Sequence, residues 1–314
     1  MTNQTIPQKK PFVIHAIPKG LLYHYTDQKG LIGIIESKKI WATHARYLND
    51  TSEGKIVFEV LRKVLNDIPG NSTLQDRRKA MTKFQAGLKD FVAGLNMFVT
   101  SFSEDGNRLS QWRAYSGMNG GYSIGFRAPY LREVGTAFLE KNNGWLRPDQ
   151  NPLKRCRYSD ENTRQSAPLL SQQGKSESID SVSSEGCNPA SESKVAYVAQ
   201  TTQSDNDLSS AVLDLVASLK HKGFEEEKEW RIALFIRERT NPDVLKFRPG
   251  TSMPAPYLEI DLQTNARRRI EIERIFIGPC PNPKEAAHSV ELLLKSNTIH
   301  GVGVLPSGIP YRNW

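Results

Sequence analysis

The chain has 314 residues, 38% of them hydrophobic and 24% charged, with a formal net charge of +8. That length and balance suit a globular protein with a sizeable core and exclude fibrous and collagen-like classes. No apolar run approaches the roughly 20 residues that cross a bilayer, and residues 1–10 lack the apolar centre of a signal peptide, so a cytoplasmic protein without membrane attachment is expected.

The three cysteines, Cys156, Cys187 and Cys280, are odd in number and far apart, which predicts free thiols without a disulfide framework or metal-ligand spacing. His221, His288 and His300 have no spaced Cys or His partners, so no metal site is expected. The positive charge favours polyanions such as nucleic acid. Its basic clusters, Arg77-Arg78-Lys79 and Arg267-Arg268-Arg269, are scattered, which a solvated surface explains equally well.

Residues 1–19 carry Pro7, Pro11 and Pro18 and read as a flexible lead, so a single domain is expected over 20–314. Leu21-Leu22-Tyr23-His24-Tyr25-Thr26 reads as a short strand with His24 facing away from both tyrosines. Thr26 or Asp27 can then cap a helix bearing Leu31, Ile34 and Ile35 on one side. Residues 39–43 form a second strand, in which Trp41 beside Ile40 reads as core. Leu48-Asn49-Asp50 and the polar residues after it precede an amphipathic helix with Val57, Val60, Leu61, Val64 and Leu65 on one stripe, and residues 76–95 read as helical too.

Residues 97–103, rich in aromatic and branched side chains, predict a strand ending in Ser101-Phe102-Ser103. A short helix over 109–115 and a strand over 122–126, opened by Gly120-Gly121, follow. The glycines there lack phosphate-loop spacing. From about 159 to 207 the chain is rich in serine and poor in aromatics, a composition that cannot offset the entropy of ordering, so a disordered insertion is expected. Helical spacing returns at Leu208, Val212, Leu215, Val216 and Leu219. Strands follow at 257–262 and 270–277, a helix at 283–296 and a last strand at 301–305. Without a βαβ rhythm, the fold class is α+β with a mixed, largely antiparallel sheet and flanking helices.

The run Glu225-Glu226-Glu227-Lys228-Glu229-Trp230-Arg231 stands before Ile232-Ala233-Leu234-Phe235-Ile236, an apolar segment that reads as a buried strand. On a strand, Glu227 and Glu229 share a face. Two carboxylates in one cleft raise each other's proton affinity and stabilise a developing positive charge. A solvated edge that discourages sheet-to-sheet pairing is the alternative.

These segments together resemble a bacterial family of unknown function. The resemblance rests on Tyr23-His24-Tyr25-Thr26, Leu48-Asn49-Asp50, Ser101-Phe102-Ser103, Trp112 with Tyr115, Gly121 to Phe126, Glu227 to Arg231, and Pro310-Tyr311-Arg312. That family in turn looks like a distant relative of ADP-ribosyltransferases, including a toxin branch that modifies DNA. The resemblance implies an ADP-ribosyltransferase-like fold and NAD as co-substrate. It further implies Glu229 as the catalytic carboxylate with Glu227 two residues earlier, and His24, Tyr25 and Thr26 on the first strand as NAD contacts. Ser101 or Ser103 would be the central-strand residue, Trp112 or Tyr115 the platform for nicotinamide, and Arg46, Arg113 and Arg231 partners for the pyrophosphate. The expectation is therefore an NAD-dependent ADP-ribosyltransferase, a bacterial toxin or anti-phage effector acting on nucleic acid or protein. The rival expectations are a non-catalytic module that binds nucleic acid or a protein partner, and a NAD glycohydrolase.

Overall fold

The computed structural model describes residues 20–48, 96–115, 120–142, 151–159, 213–214, 216–236, 242–250, 252–263 and 269–311. The expected lead at 1–19, the helices at 57–65 and 76–95, and almost all of the serine-rich insertion with Leu208 and Val212 after it lie outside these residues. Arg312 does as well.

β1 (Leu21–Thr26) leads into α1 (Gln28–Ser37), whose first turn is capped by Asp27 accepting from the Gly30 N–H at 2.7 Å. Such a cap is worth about 1 kcal/mol. The spacing of Leu31, Ile34 and Ile35 puts all three on the buried side of α1, each adding about 1.5–3 kcal/mol on burial. Lys38, in the left-handed conformation at φ 56°, turns the chain into β2 (Lys39–His44).

β3 (Asn96–Ser103), α2 (Leu109–Tyr115), β4 (Tyr122–Arg127) and α3 (Ala128–Lys141) come next. Four strands follow: β5 (Leu153–Arg155), β6 (Arg157–Ser159), β7 (Leu219–His221) and β8 (Glu229–Ile236). The last elements are β9 (Lys246–Arg248), β10 (Ala255–Asp261), β11 (Arg274–Ile277), α4 (Pro283–Ser296) and β12 (Gly303–Pro306).

The main sheet runs β12-β11-β4-β1-β3-β2-β10-β9, with β8 joined to β3 and β5 joined to β8. Its pairings are antiparallel except for β11 with β12. The expected α+β class with a mixed, largely antiparallel sheet and flanking helices is the observed one. β6 and β7 pair with each other in parallel. Leu219, expected to end a helix, instead opens β7.

β3 is where the sheet forks. One edge pairs with β8 along its whole length, while the other is shared by β2, at Val99 and Phe98, and by β1, at Ser103. Near this fork, side chains meet two backbone carbonyls. Thr100 Oγ1 donates to the Trp41 carbonyl at 2.7 Å, and His24 Nδ1 lies 3.0 Å from the Ser101 carbonyl. A buried backbone acceptor left alone is costly, which explains a Thr and a His at these two positions.

The two faces of the sheet differ. One carries Leu22, Ile40, Ala42, Phe102, Ile124, Phe126, Trp230 and Ile232 into the main core, which α1, α3 and α4 cover. The other carries a smaller cluster in which Tyr23 and Tyr25 pack with Trp112 of α2. Gly125 sits under the Tyr23 ring, and a Cβ there would lie 2.8 Å from Tyr23 Cε1 and 3.3 Å from the Arg274 carbonyl. Trp41 corrects an expectation. Alternation along β2 sends Ile40 and Ala42 inward, so Trp41 between them faces out, 46% exposed.

Candidate functional site

On the face that α2 partly covers, three adjacent strands bring a polar row together. Ser103 stands across from Tyr23 of β1 on one side and from Glu229 of β8 on the other, and Ser101 stands across from Arg231. The acidic run does not enter as one strand. Lys222–Glu227 wind into a 3-10 turn, Lys228 takes the left-handed conformation at φ 43°, and the strand begins at Glu229. Glu227 and Glu229 still meet, but through a cation that the sequence did not point to. Lys220 of β7 donates to Glu227 Oε2 and to Glu229 Oε2, each at 2.6 Å. Arg231 completes the cluster from Nε and a terminal nitrogen, at 2.8 and 3.1 Å to the two Glu229 oxygens.

The backbone of Glu229 is pinned as well. Its N–H donates to the Tyr158 hydroxyl at 2.7 Å, and its carbonyl accepts from the Cys156 N–H at 2.8 Å. Ser103 Oγ donates to the Glu227 carbonyl at 2.7 Å and accepts from the Asp105 N–H at 3.2 Å, which ties the 3-10 turn to the end of β3.

Burial works against the charge on Glu229, but Arg231 and Lys220 outweigh it and bring its carboxyl down to about 2. Burial raises the proton affinity of Glu227 against the pull of Lys220. Lys220 is itself desolvated, yet the two carboxylates hold it firmly protonated. Burial and then the nearby Glu227 charge raise the Tyr115 hydroxyl to about 12. The four charges balance, two of each sign, and this is the condition under which buried ions persist. Of the two acids, Glu227 is the more accessible, with 14% of its side chain exposed against 4% for Glu229.

Beside the cluster, a cleft of about 620 Å³ opens between α2 and the 3-10 turn, lined by Arg108, Leu109, Ser110, Arg113, Ala114 and Glu226. Ser110 Oγ is buried without a hydrogen-bond partner among the described residues. Arg108 Nε pairs with Asp105 at 3.3 Å, and the Arg113 guanidinium lies over the Tyr311 ring, 5.0 Å from its centre. Cleft and carboxylates are neighbours in the chain: Glu226 precedes Glu227, and Ala114 precedes Tyr115.

The other expected residues divide sharply. His24 lies on the opposite face from Glu229, beside Phe102 of the core at 5.7 Å between rings. Because a carbonyl can only accept, its Nδ1 carries the hydrogen and donates to Ser101, and burial lowers its pKa. Thr26, two residues on, shares that face by alternation. Tyr25 donates from its hydroxyl to the Asp105 carbonyl and accepts from the Arg108 N–H, with its ring edge-on to Trp112. Trp112 is 1% exposed and spends its N–H on Asn107, so it is a packing residue and not an open stacking platform. Tyr115, at 37% exposure, can offer a surface. Arg231 spends Nε and a terminal nitrogen on Glu229. Arg46 lies in the 3-10 turn Ala45–Tyr47, after β2. Sequence reasoning missed Lys220, Tyr158 and Arg108; Tyr158 and Lys220 stand across from each other in the β6–β7 pair, which no sequence signal announced.

A second cavity, of about 630 Å³, lies among residues of α3, the segment before β11 and the chain after α4, and holds none of the expected residues. Among the described residues, no group of three or more His, Cys, Asp or Glu side chains could hold a metal ion, and no helix is long and apolar enough to cross a membrane.

The geometry defines an α+β protein with a buried, charge-balanced carboxylate cluster beside an arginine-lined cleft. Residues 111–232 match the model of a family described as Protein of unknown function (DUF2971). The matched segment runs from α2 into β8, so it contains Trp112, Tyr115, Lys220, Glu227, Glu229 and Arg231, while His24, Ser101 and Ser103 precede it. The expected resemblance to a family of unknown function is met over that segment. No curated protein and no solved structure matches the chain.

Proposed function

We propose that the protein is an NAD-consuming ADP-ribosyltransferase whose dinucleotide lies in the cleft between α2 and the 3-10 turn, with the carboxylates of Glu227 and Glu229 at its reactive end. One observation carries the reading: a carboxylate pair, Glu229 buried and Glu227 partly buried, stands next to a cleft with Arg108 and Arg113 on its wall. Arginine forks match pyrophosphate oxygens. A carboxylate in a low-dielectric site stabilises the cationic ribose that forms as nicotinamide leaves with the bonding electrons. The acceptor nucleophile then bonds to that ribose carbon and gives up its proton. Tyr115, 37% exposed and within electrostatic reach of both carboxylates, offers an aromatic surface; His24 has no part in the reading, since it lies on the other face. A toxin or anti-phage setting in the cytoplasm, with nucleic acid or protein as acceptor, fits this chemistry; with water as acceptor the same site is a NAD glycohydrolase.

A second reading is favoured by a specific observation. Glu229 already satisfies its two oxygens with Arg231 and Lys220, as a structural ion cluster does, and that suits a non-catalytic binding module. Incubation of the purified chain with labelled NAD and RNA, DNA or lysate separates the readings. Label transfer or nicotinamide release that is lost in Glu227→Gln, with the thermal midpoint retained, supports the transferase. A chain that neither transfers label nor releases nicotinamide is the binding module.

A further inference from the structure

We infer that the outward face of β2, β10 and β9 binds single-stranded nucleic acid, with a base stacked on Trp41 and phosphates held by Lys39 and Lys246. The site is separate from the carboxylate cluster and does not rest on the NAD reading.

The register builds it. Trp41 stands across from Glu259 of β10, and Tyr257, two residues earlier on β10, stands across from Lys246 of β9. Trp41, Tyr257, Glu259, Lys39 and Lys246 therefore share one face. The Trp41 and Tyr257 rings lie 4.4 Å apart, so Tyr257 braces the indole from one side and leaves it 46% exposed. Among the described residues, no helix covers this part of the sheet, since α1, α3 and α4 pack on the opposite face and α2 packs at Tyr23 and Tyr25.

The cations are positioned as well. Glu259 Oε2 accepts from Lys39 and from Lys246, each at 2.9 Å, which gathers the two ammonium groups at one oxygen of the residue across from Trp41. An ammonium has three donors and Glu259 takes one from each lysine, so both can also bind phosphate oxygens. Arg248, two residues beyond Lys246, donates to Thr43 Oγ1 at 3.2 Å on the same face. By register Asp261 stands across from Lys39, so the face carries three cations, Lys39, Lys246 and Arg248, against two carboxylates, Glu259 and Asp261, and keeps a net positive charge that matches a polyanion. A braced aromatic on an open sheet, flanked by cations, offers what a splayed single strand needs: a π surface for a base and charge for the backbone. A duplex presents neither an unstacked base nor a flat approach to a sheet.

Anisotropy of a fluorescein-labelled 15-nucleotide oligouridylate, and of the matching oligothymidylate, titrated with the full chain at increasing salt, tests the inference and tells RNA from DNA. Binding that weakens with salt, falls at least tenfold in Trp41→Ala and stays within threefold in Trp41→Phe is the expected result. Lys246→Ala should lower the salt slope by about one. Equal affinity of wild type and Trp41→Ala overturns the inference. So does displacement as effective by duplex, or by free uridine monophosphate at equal nucleotide concentration, and so does no binding at low salt. No NAD is present, so failure of the transferase reading leaves this outcome untouched, and the reverse holds.

Discussion

Arg231 grips Glu229 two positions earlier on the same strand, with Nε at 2.8 Å from one carboxylate oxygen and a terminal nitrogen at 3.1 Å from the other. Residues two apart on a strand share a face, so the pair is set by local geometry, and Lys220 closes it from β7. Removing one partner from such a buried set leaves the rest uncompensated. Glu229→Gln should therefore cost about 3–5 kcal/mol of stability, read as a shift in the denaturant midpoint. Glu227→Gln, at the more exposed end and with Lys220 still paired to Glu229, should cost well under half as much. A Glu229→Gln variant as stable as wild type would show that the cluster holds nothing together.

The same cluster sets an acid limit. The folded state lowers the carboxyl of Glu229 from its ordinary value near 4.5 to about 2, so its contribution is complete above 4.5. It is lost as pH falls through that window. Denaturant midpoints measured from pH 5 to pH 2.5 should drop more steeply for wild type than for Glu229→Gln, which has no proton to take up there.

His24 should act on stability and not on NAD. Replacing it with Ala orphans the Ser101 carbonyl at the fork of β3, at a cost of about 1–3 kcal/mol. Burial lowers its pKa below the ordinary value near 6.5, so its stabilisation is full above 6.5 and fades as pH falls toward the lowered value. His44, also lowered by burial, adds to the wild-type trend, so the informative quantity is the difference between wild type and His24→Ala from pH 7.5 to 5.5. A KM for NAD that rises in His24→Ala at unchanged stability would return this histidine to the binding site.

Gly125→Ala should destabilise by about 1–3 kcal/mol, since its methyl would meet the Tyr23 ring at 2.8 Å with the Arg274 carbonyl close behind. Tyr23→Ala in the same chain should recover part of that loss, because the ring is what must move. A thermal-melt double-mutant cycle measures the coupling.

Arg113→Ala should raise the KM for NAD about tenfold with little change in kcat if the cleft by α2 holds the pyrophosphate, because an exposed arginine there binds ground and transition states alike. Steady-state nicotinamide release reports both constants.

Local pattern carried much of the fold. The stripe Leu31, Ile34 and Ile35, the cap at Asp27, the apolar run at 232–236 and the alternation in β1 and β2 are short-range features, and α1, β1, β2, β3, α2, β4, β8 and α4 followed them closely. The same alternation, read strictly, places Trp41 outside; a preference for burying large aromatics overrode it. That Glu227 and Glu229 meet could also be anticipated from their spacing, but not how. Lys220 enters from a strand pair that includes β6, and no periodicity announces a contact between separate elements. Tertiary structure alone decided that His24 and Glu229 stand on opposite faces. Strand alternation fixes which neighbours a side chain shares within its own strand, whereas the pairing register of β1 with β3 and of β3 with β8 determines which side chains of different strands share a face.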